Sequence, residues 1–138
     1  MIEIIKAGAR PAAVAPAARF TGHVVMTDIV ATPAPARLHA VLVRFAPGAR
    51  TFWHTHPLGQ TLHVTEGVGR IGFRDAPPRE IRAGDSVWIP PGLEHWHGAA
   101  PDQPMTHVAM QERLEGQQSA WLDEAVAETA YTASPVEP

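Results

Sequence analysis

The sequence predicts an all-β domain, a barrel or sandwich of short antiparallel strands with one short helix near its C-terminal end. Three observations predict it. The 138 residues make one domain, and 45 % of them are hydrophobic, enough for a core. Fourteen prolines and eleven glycines fall mostly between short apolar runs, as turns between strands require. Only one late stretch carries helical spacing.

Taken in order, residues 7–19 are rich in Ala and Pro, and residues 1–19 as a whole are expected to form an extended arm ahead of a barrel spanning 20–133. Strands are expected over 21–30, 38–45, 50–56, 61–66, 69–74, 86–89, 94–98 and 105–112. The turns between them are explicit. Ala46-Pro47-Gly48, Ala83-Gly84-Asp85 and Pro90-Pro91-Gly92 supply turn residues, and Pro91-Gly92 suits the central positions of a type II turn. The helix is expected to be capped by Ser119, with Asp123 and Glu124 near its positive end. Trp121, Leu122, Ala125 and Val126 share its inner face. Residues 134–138 are expected to be a disordered tail.

Composition narrows the function classes. A net charge of −3 and no basic stripe give no reason to expect nucleic acid as a partner. No apolar run approaches the length of a membrane span. The N-terminal segment is interrupted by Glu3, Lys6, Pro11 and Pro16 and does not read as a secretory signal. Cysteine is absent, which removes disulfides and thiolate metal sites and fits the cytoplasm, the expected location. With eight histidines, a transition-metal site here must use nitrogen and oxygen donors.

The segment His54-Thr-His56-Pro-Leu-Gly-Gln60 concentrates such donors. Residues two apart in a strand point to the same face, ~6.6–6.8 Å apart. His54 and His56 can therefore reach one ion, and Phe52 is expected to share their face. Pro57 and Gly59 break the strand, after which Gln60 can return its amide oxygen to the same point. A further ligand is expected from Pro90-Pro-Gly-Leu-Glu-His95-Trp-His97-Gly98, where His95 and His97 share one face and Trp96 points away. His23, His39, His63 and His107 are expected to be structural or solvated, and His63 to face outward. The tryptophans are expected in a core or interface.

These motifs resemble the cupins. The chain reads Gly48, five residues, His54-x-His56, three residues, Gln60, six residues, Gly67, and then Gly84, five residues, Pro90-x-Gly92, two residues, His95, three residues, Ala99. It departs from the cupin pattern in carrying Gln60 in place of Glu and Ala99 in place of Asn. The resemblance implies a single jelly-roll cupin barrel with metal ligands His54, His56, Gln60 and His95. A longer likeness, through residues 47–67, 95–101 and 105–116, is to the small bacterial manganese-dependent cupin hydroxynitrile lyases, which split or form aromatic cyanohydrins.

That likeness implies one divalent transition metal, manganese first, with iron, cobalt, nickel or zinc as alternatives. It implies His97 as the proton-moving residue, Gln111 at the pocket, and a wall including Val41 and Val43. Phe52 and Leu62 are expected to complete the apolar wall for an aryl group of a small-molecule substrate. Three imidazoles and an amide would leave the ion's charge uncompensated, which favours anion binding over oxidation of the metal. The competing expectations are an iron-dependent dioxygenase or other oxidoreductase, and a non-catalytic metal-binding cupin. A homodimer or homotetramer is expected from the N-terminal arm.

Overall fold

A computed structural model describes residues 1–136. The strands are β1 (Ala13–Val14), β2 (Phe20–Thr21), β3 (Val24–Ala31), β4 (Leu38–Phe45), β5 (Arg50–Thr51), β6 (His54–Thr55), β7 (Gln60–Phe73), β8 (Arg79–Arg82), β9 (Ser86–Ile89), β10 (His95–Ala99), β11 (Met105–Glu112) and β12 (Ala120–Trp121). They are followed by helix α1 (Glu128–Thr132). The fold is mostly β, a curled sheet forming a half-barrel, with hydrogen-bonded order β1-β3-β4-β11-β7-β10-β5-β2.

Long β7 ties the two halves together. Its first part pairs with β11 and β9, and its second part with β10 and β8. Gly67 sits at the bend with φ 78°, and a Cβ there would lie 2.0 Å from the Pro104 carbonyl oxygen. No side chain fits that approach, so the glycine spacing read in the sequence marks the corner of the barrel. Alternation along β4, β7 and β11 sends Val43, Phe45, Leu62, Val64, Met105 and Ala109 inward into one core. No helix among the described residues is long and apolar enough to cross a membrane.

Strands 38–45, 86–89 and 105–112 fall where the sequence places them. Others differ for local reasons. The expected strand 21–30 is divided by Gly22 at φ 81°. The two expected strands 61–66 and 69–74 are one continuous strand, because Gly67 bends β7 without ending it. The short strands β1, β8 and β12 were not anticipated.

The C-terminal region requires a correction. Residues 119–126 are not a helix. Ala120 and Trp121 instead pair with Thr55 and His54, and Ser119 turns its hydroxyl toward His56 Nδ1 at 3.4 Å rather than capping a helix. The edge of β6 offers unpaired backbone groups and His54 offers a ring to stack on, and together these outweigh the amphipathic pattern. The helix is five residues long, lies later, at Glu128–Thr132, and buries Tyr131. Val136, within the expected tail, accepts from Glu80 N and donates to the Pro78 carbonyl. Residues 137–138 lie outside the described residues.

This C-terminal strap is held by arginines. Arg50 lies 4.0 Å over the Tyr131 ring and bonds the Val126 carbonyl. Arg70 bonds the Tyr131 carbonyl, and Arg74 lies 3.8 Å over Trp53 while pairing with Glu94 and Glu124. Trp96 faces away from the barrel interior, as its parity predicts, into a small second core with Trp53, Val126 and Tyr131.

Candidate metal centre

Strand pairing builds the site. β6 lies against β10 with His54 opposite His95, so the two histidine motifs meet across one ladder. Their ring centroids are 4.2 Å apart. His56 follows at 5.1 Å from His54 and 5.4 Å from His95. His97 stands at 5.3 Å and 5.7 Å from the same two rings. All four are buried.

The hydrogen bonds divide these histidines into two groups. His54, His56 and His95 each donate Nδ1–H to a main-chain carbonyl, of Phe52 at 2.9 Å, Gln118 at 2.7 Å and Leu93 at 2.8 Å. Spending Nδ1 this way leaves the Nε2 lone pair free, the arrangement that orients histidines for metal binding. His56 Nε2 and His95 Nε2 are buried without a partner. His97 differs, since its Nδ1 meets His107 Nε2 at 3.0 Å.

Gln60 enters the same cavity. Its Nε2 donates to Gln111 Oε1 at 2.9 Å, and Gln111 Nε2 donates to the His39 carbonyl at 3.1 Å. The chain of amides fixes which way Gln60 points and leaves its Oε1 buried and unpaired. Unpaired buried acceptors are costly, at ~1–3 kcal/mol each, and are rare in folded proteins. Converging here, they fit a cation. The nitrogen atoms of His54, His95 and His97 also lie within 4.8 Å of one another. A three-histidine cluster in this fold marks a divalent metal site.

Burial makes the site neutral. It holds His95 and His107 down at about 4. It also lowers His56, and it puts His54 and His97 well below the ordinary histidine value, with neighbouring imidazoles adding to the effect. At pH 7 all five rings are uncharged, and uncharged imidazoles are what a metal requires.

The cavity, of about 90 Å³, is lined by Val41 and Val43 as expected and by Gln111, His54, His56, Gln60 and His97. Two expected wall residues are not there. Phe52 is not among the lining residues and Thr51 is. Between the pairs Gly98↔Arg50 and His95↔His54, β10 advances three residues while the other chain advances four. The extra residue is a bulge that reverses the alternation, so Thr51 turns inward and accepts from His97 N at 3.2 Å. Leu62 is fully buried in the barrel core and likewise is not among the lining residues.

Sequence reasoning missed Phe20, Met26, Phe45, Ala109 and Trp121 in the wall. Trp121 stacks on the His54 ring at 4.4 Å with 21° between planes. His107, expected to be structural or solvated, is fully buried against His97. Its even spacing from Met105, Ala109 and Gln111 along β11 was the available signal. His63 is exposed beside Ser86, as expected.

Residues 41–110 match the family model described as a cupin domain. The chain belongs to the cupin family. This cupin is 46 % identical over 127 residues to a curated (R)-mandelonitrile lyase from Granulicella tundricola, across 92 % of this chain and 97 % of that one. It is similar to a cupin-like protein of known structure from Thermotoga maritima, with TM-score 0.81 and 39 % identity over 86 % of this chain and 89 % of the other. A polyketide cyclase from Streptomyces resistomycificus shares the fold, with TM-score 0.73 and 17 % identity over 95 % and 91 % of the two chains. Similarity over most of its length to the mandelonitrile lyase supports a lyase-like enzyme.

Proposed function

We propose that this cupin is a metal-dependent lyase that reversibly cleaves aromatic cyanohydrins to an aldehyde and hydrogen cyanide. The observation that carries the reading is a division of labour among buried neutral groups. Three imidazoles have their Nδ1 atoms committed to carbonyls and an amide oxygen is held unpaired, while His97 faces the same cavity on a different partner. Identity of 46 % to the (R)-mandelonitrile lyase supports it.

His54, His56, Gln60 and His95 would hold the ion, with manganese proposed from the resemblance to the manganese-dependent cupin hydroxynitrile lyases. The ring nitrogens of His54, His95 and His97 are the ones within 4.8 Å of one another, and what favours His56 over His97 as the third imidazole is its Nδ1, committed to a main-chain carbonyl while His97 Nδ1 is engaged by His107. When bound in this neutral shell, a divalent ion supplies positive charge that favours the alkoxide form of a nearby hydroxyl.

His97 supplies the proton transfer. With His97 Nδ1–H donating to His107 Nε2, its own Nε2 is a bare base facing the cavity; with the shared proton on His107, His97 Nε2–H is an acid. The first arrangement suits cleavage and the second suits synthesis. In cleavage, His97 Nε2 takes the hydroxyl proton. The carbon–carbon bond electrons leave with cyanide, the carbonyl forms, and the imidazolium returns its proton to give hydrogen cyanide. Burial disfavours that imidazolium, so the proton is passed on rather than retained.

The inner cavity suits a cyano group and a carbonyl. The aryl group would lie against Val41, Val43, Phe20, Met26 and Trp121, toward an adjoining vestibule of about 590 Å³ that shares several of these residues. The test is mandelonitrile cleavage by protein of measured metal content. Benzaldehyde release that tracks manganese occupancy supports the reading. No release with manganese, cobalt or iron refutes it.

A further inference from the structure

Two of the proposed ligands, His56 and Gln60, trace back to one residue outside the cavity wall. His56 Nδ1 donates to the main-chain oxygen of Gln118 at 2.7 Å. Gln118 belongs to the segment that leads into β12, and its backbone is not in a strand. Gln117 beside it bonds Leu114 through two main-chain hydrogen bonds and Ala120 pairs in β12, and Gln118 itself is fixed by its side chain, whose Oε1 lies 2.7 Å from His39 Nδ1. His39 Nε2 in turn lies 3.1 Å from Asp28 Oδ1. The main-chain oxygen of His39 also receives Gln111 Nε2, the group that orients Gln60.

We propose that His39 is a positioning residue for the metal centre, acting through Gln118 on the orientation of His56. Asp28 and Gln118 grip both nitrogens of its ring, which fixes the ring plane on the well-anchored β4 ladder. The ring then holds the 117–119 segment at the distance where the Gln118 carbonyl meets His56. A loop carbonyl without such an anchor would leave His56 free to rotate and to exchange tautomers, with Nε2 no longer held as the free donor. His54 and His95 need no comparable device. Each bonds a carbonyl two residues earlier in its own chain, Phe52 and Leu93, so its partner travels with it. His56 is the one of the three whose partner comes from a distant segment, 62 residues away in the sequence.

The inference rests on the reading of His56 as a ligand, and the experiment separates the two. Manganese affinity is measured by chelator competition for the parent, His56→Ala, His39→Ala, Gln118→Ala, Asp28→Ala and Asp28→Asn. Hydrogen–deuterium exchange across 116–120 is followed in the metal-free proteins. The expected result is manganese affinity reduced ~10–100-fold in His39→Ala and Gln118→Ala, the range seen when partners of metal ligands are removed. Faster exchange at 116–120 should accompany it. Asp28→Ala should weaken binding in the same direction, and Asp28→Asn, which keeps an oxygen acceptor, should restore it to within about threefold of the parent. Glu128→Gln, which loosens the strap where exposed Glu128 pairs with buried Arg50, should leave affinity unchanged. Gln118→Ala alters only a loop side chain and keeps the main-chain oxygen, so the test stands if His39→Ala fails to fold. Parent-level affinity in Gln118→Ala and His39→Ala, with His56→Ala impaired, overturns the positioning role alone. Parent-level affinity in His56→Ala overturns the ligand assignment and the positioning role with it.

Discussion

Replacing Gln60 by Glu tests how a neutral ligand shell contributes. Gln60→Glu preserves shape and an oxygen donor but changes two things. The Gln60 Nε2 donor to Gln111 Oε1 at 2.9 Å is lost, and two oxygens face each other unless Gln111 turns its amide over. Turning it over would set its oxygen against the His39 carbonyl, where Nε2 now donates at 3.1 Å. Either arrangement leaves one buried polar contact unmade, at a cost of ~1–3 kcal/mol. The added negative charge strengthens the hold on a cation and opposes a developing alkoxide or cyanide. At ~4 Å and an effective dielectric of ~20, that opposition is about 4 kcal/mol. Tenfold in rate corresponds to ~1.4 kcal/mol, so turnover should fall by ~10–10³-fold. The assay is mandelonitrile cleavage at matched manganese occupancy, read as benzaldehyde released per metal. Affinity for manganese should rise or hold while kcat drops. An unchanged or faster kcat at equal occupancy would refute the charge argument.

Further expectations concern the base, the fold and the wall. His97→Ala should retain manganese and lose turnover by ~10²–10⁴-fold, as for other general acid–base groups, whereas loss of metal would place His97 among the ligands. The metal-free protein should lose stability as pH falls from ~6.5 toward 4. The unfolded chain binds protons on its histidines at ~6.5 while burial holds His107 and His95 neutral to about 4, so protons favour unfolding throughout that window. A thermal midpoint flat between pH 7 and 5 would contradict this. Trp121→Ala removes the ring stacked on His54 and part of the wall, and should raise KM for mandelonitrile more than for an aliphatic cyanohydrin. Equal changes for both substrates would argue against an aryl subsite there. We also expect a homodimer or homotetramer, which light scattering checks, because the arm leaves Ile2, Ile4 and Val14 exposed.

Much of the centre was legible because its donors are close in sequence and strand parity is simple. His54 and His56 share a face and Gln60 returns to it, from spacings of two to four residues and a glycine-marked turn, and the second cupin motif supplied His95, which the structure places opposite His54. Val41, Val43 and Gln111 came instead from the likeness to the cupin hydroxynitrile lyases. Parity failed at Phe52 because a bulge is set by how two strands pair, and the count that reveals it needs both partners. The 119–126 segment carried a sound helical pattern, yet the edge of β6 and the His54 ring captured it as β12. Local propensity was overridden by contacts distant in sequence. Leu62 had the right parity but sits deeper than the cavity, a matter of position along the barrel that alternation does not encode. His107 could be placed on an inward face, but nothing in the sequence shows that it meets His97.

The central claim is that three imidazoles and one amide hold the ion while a fourth imidazole moves the proton. Anomalous diffraction from crystals of the manganese-loaded protein tests it most directly. The account expects one manganese peak within bonding distance of His54 Nε2, His56 Nε2, His95 Nε2 and Gln60 Oε1, with His97 in the cavity and unbonded to it. A peak held by His54, His95 and His97, with the Gln60 amide turned away, would contradict it.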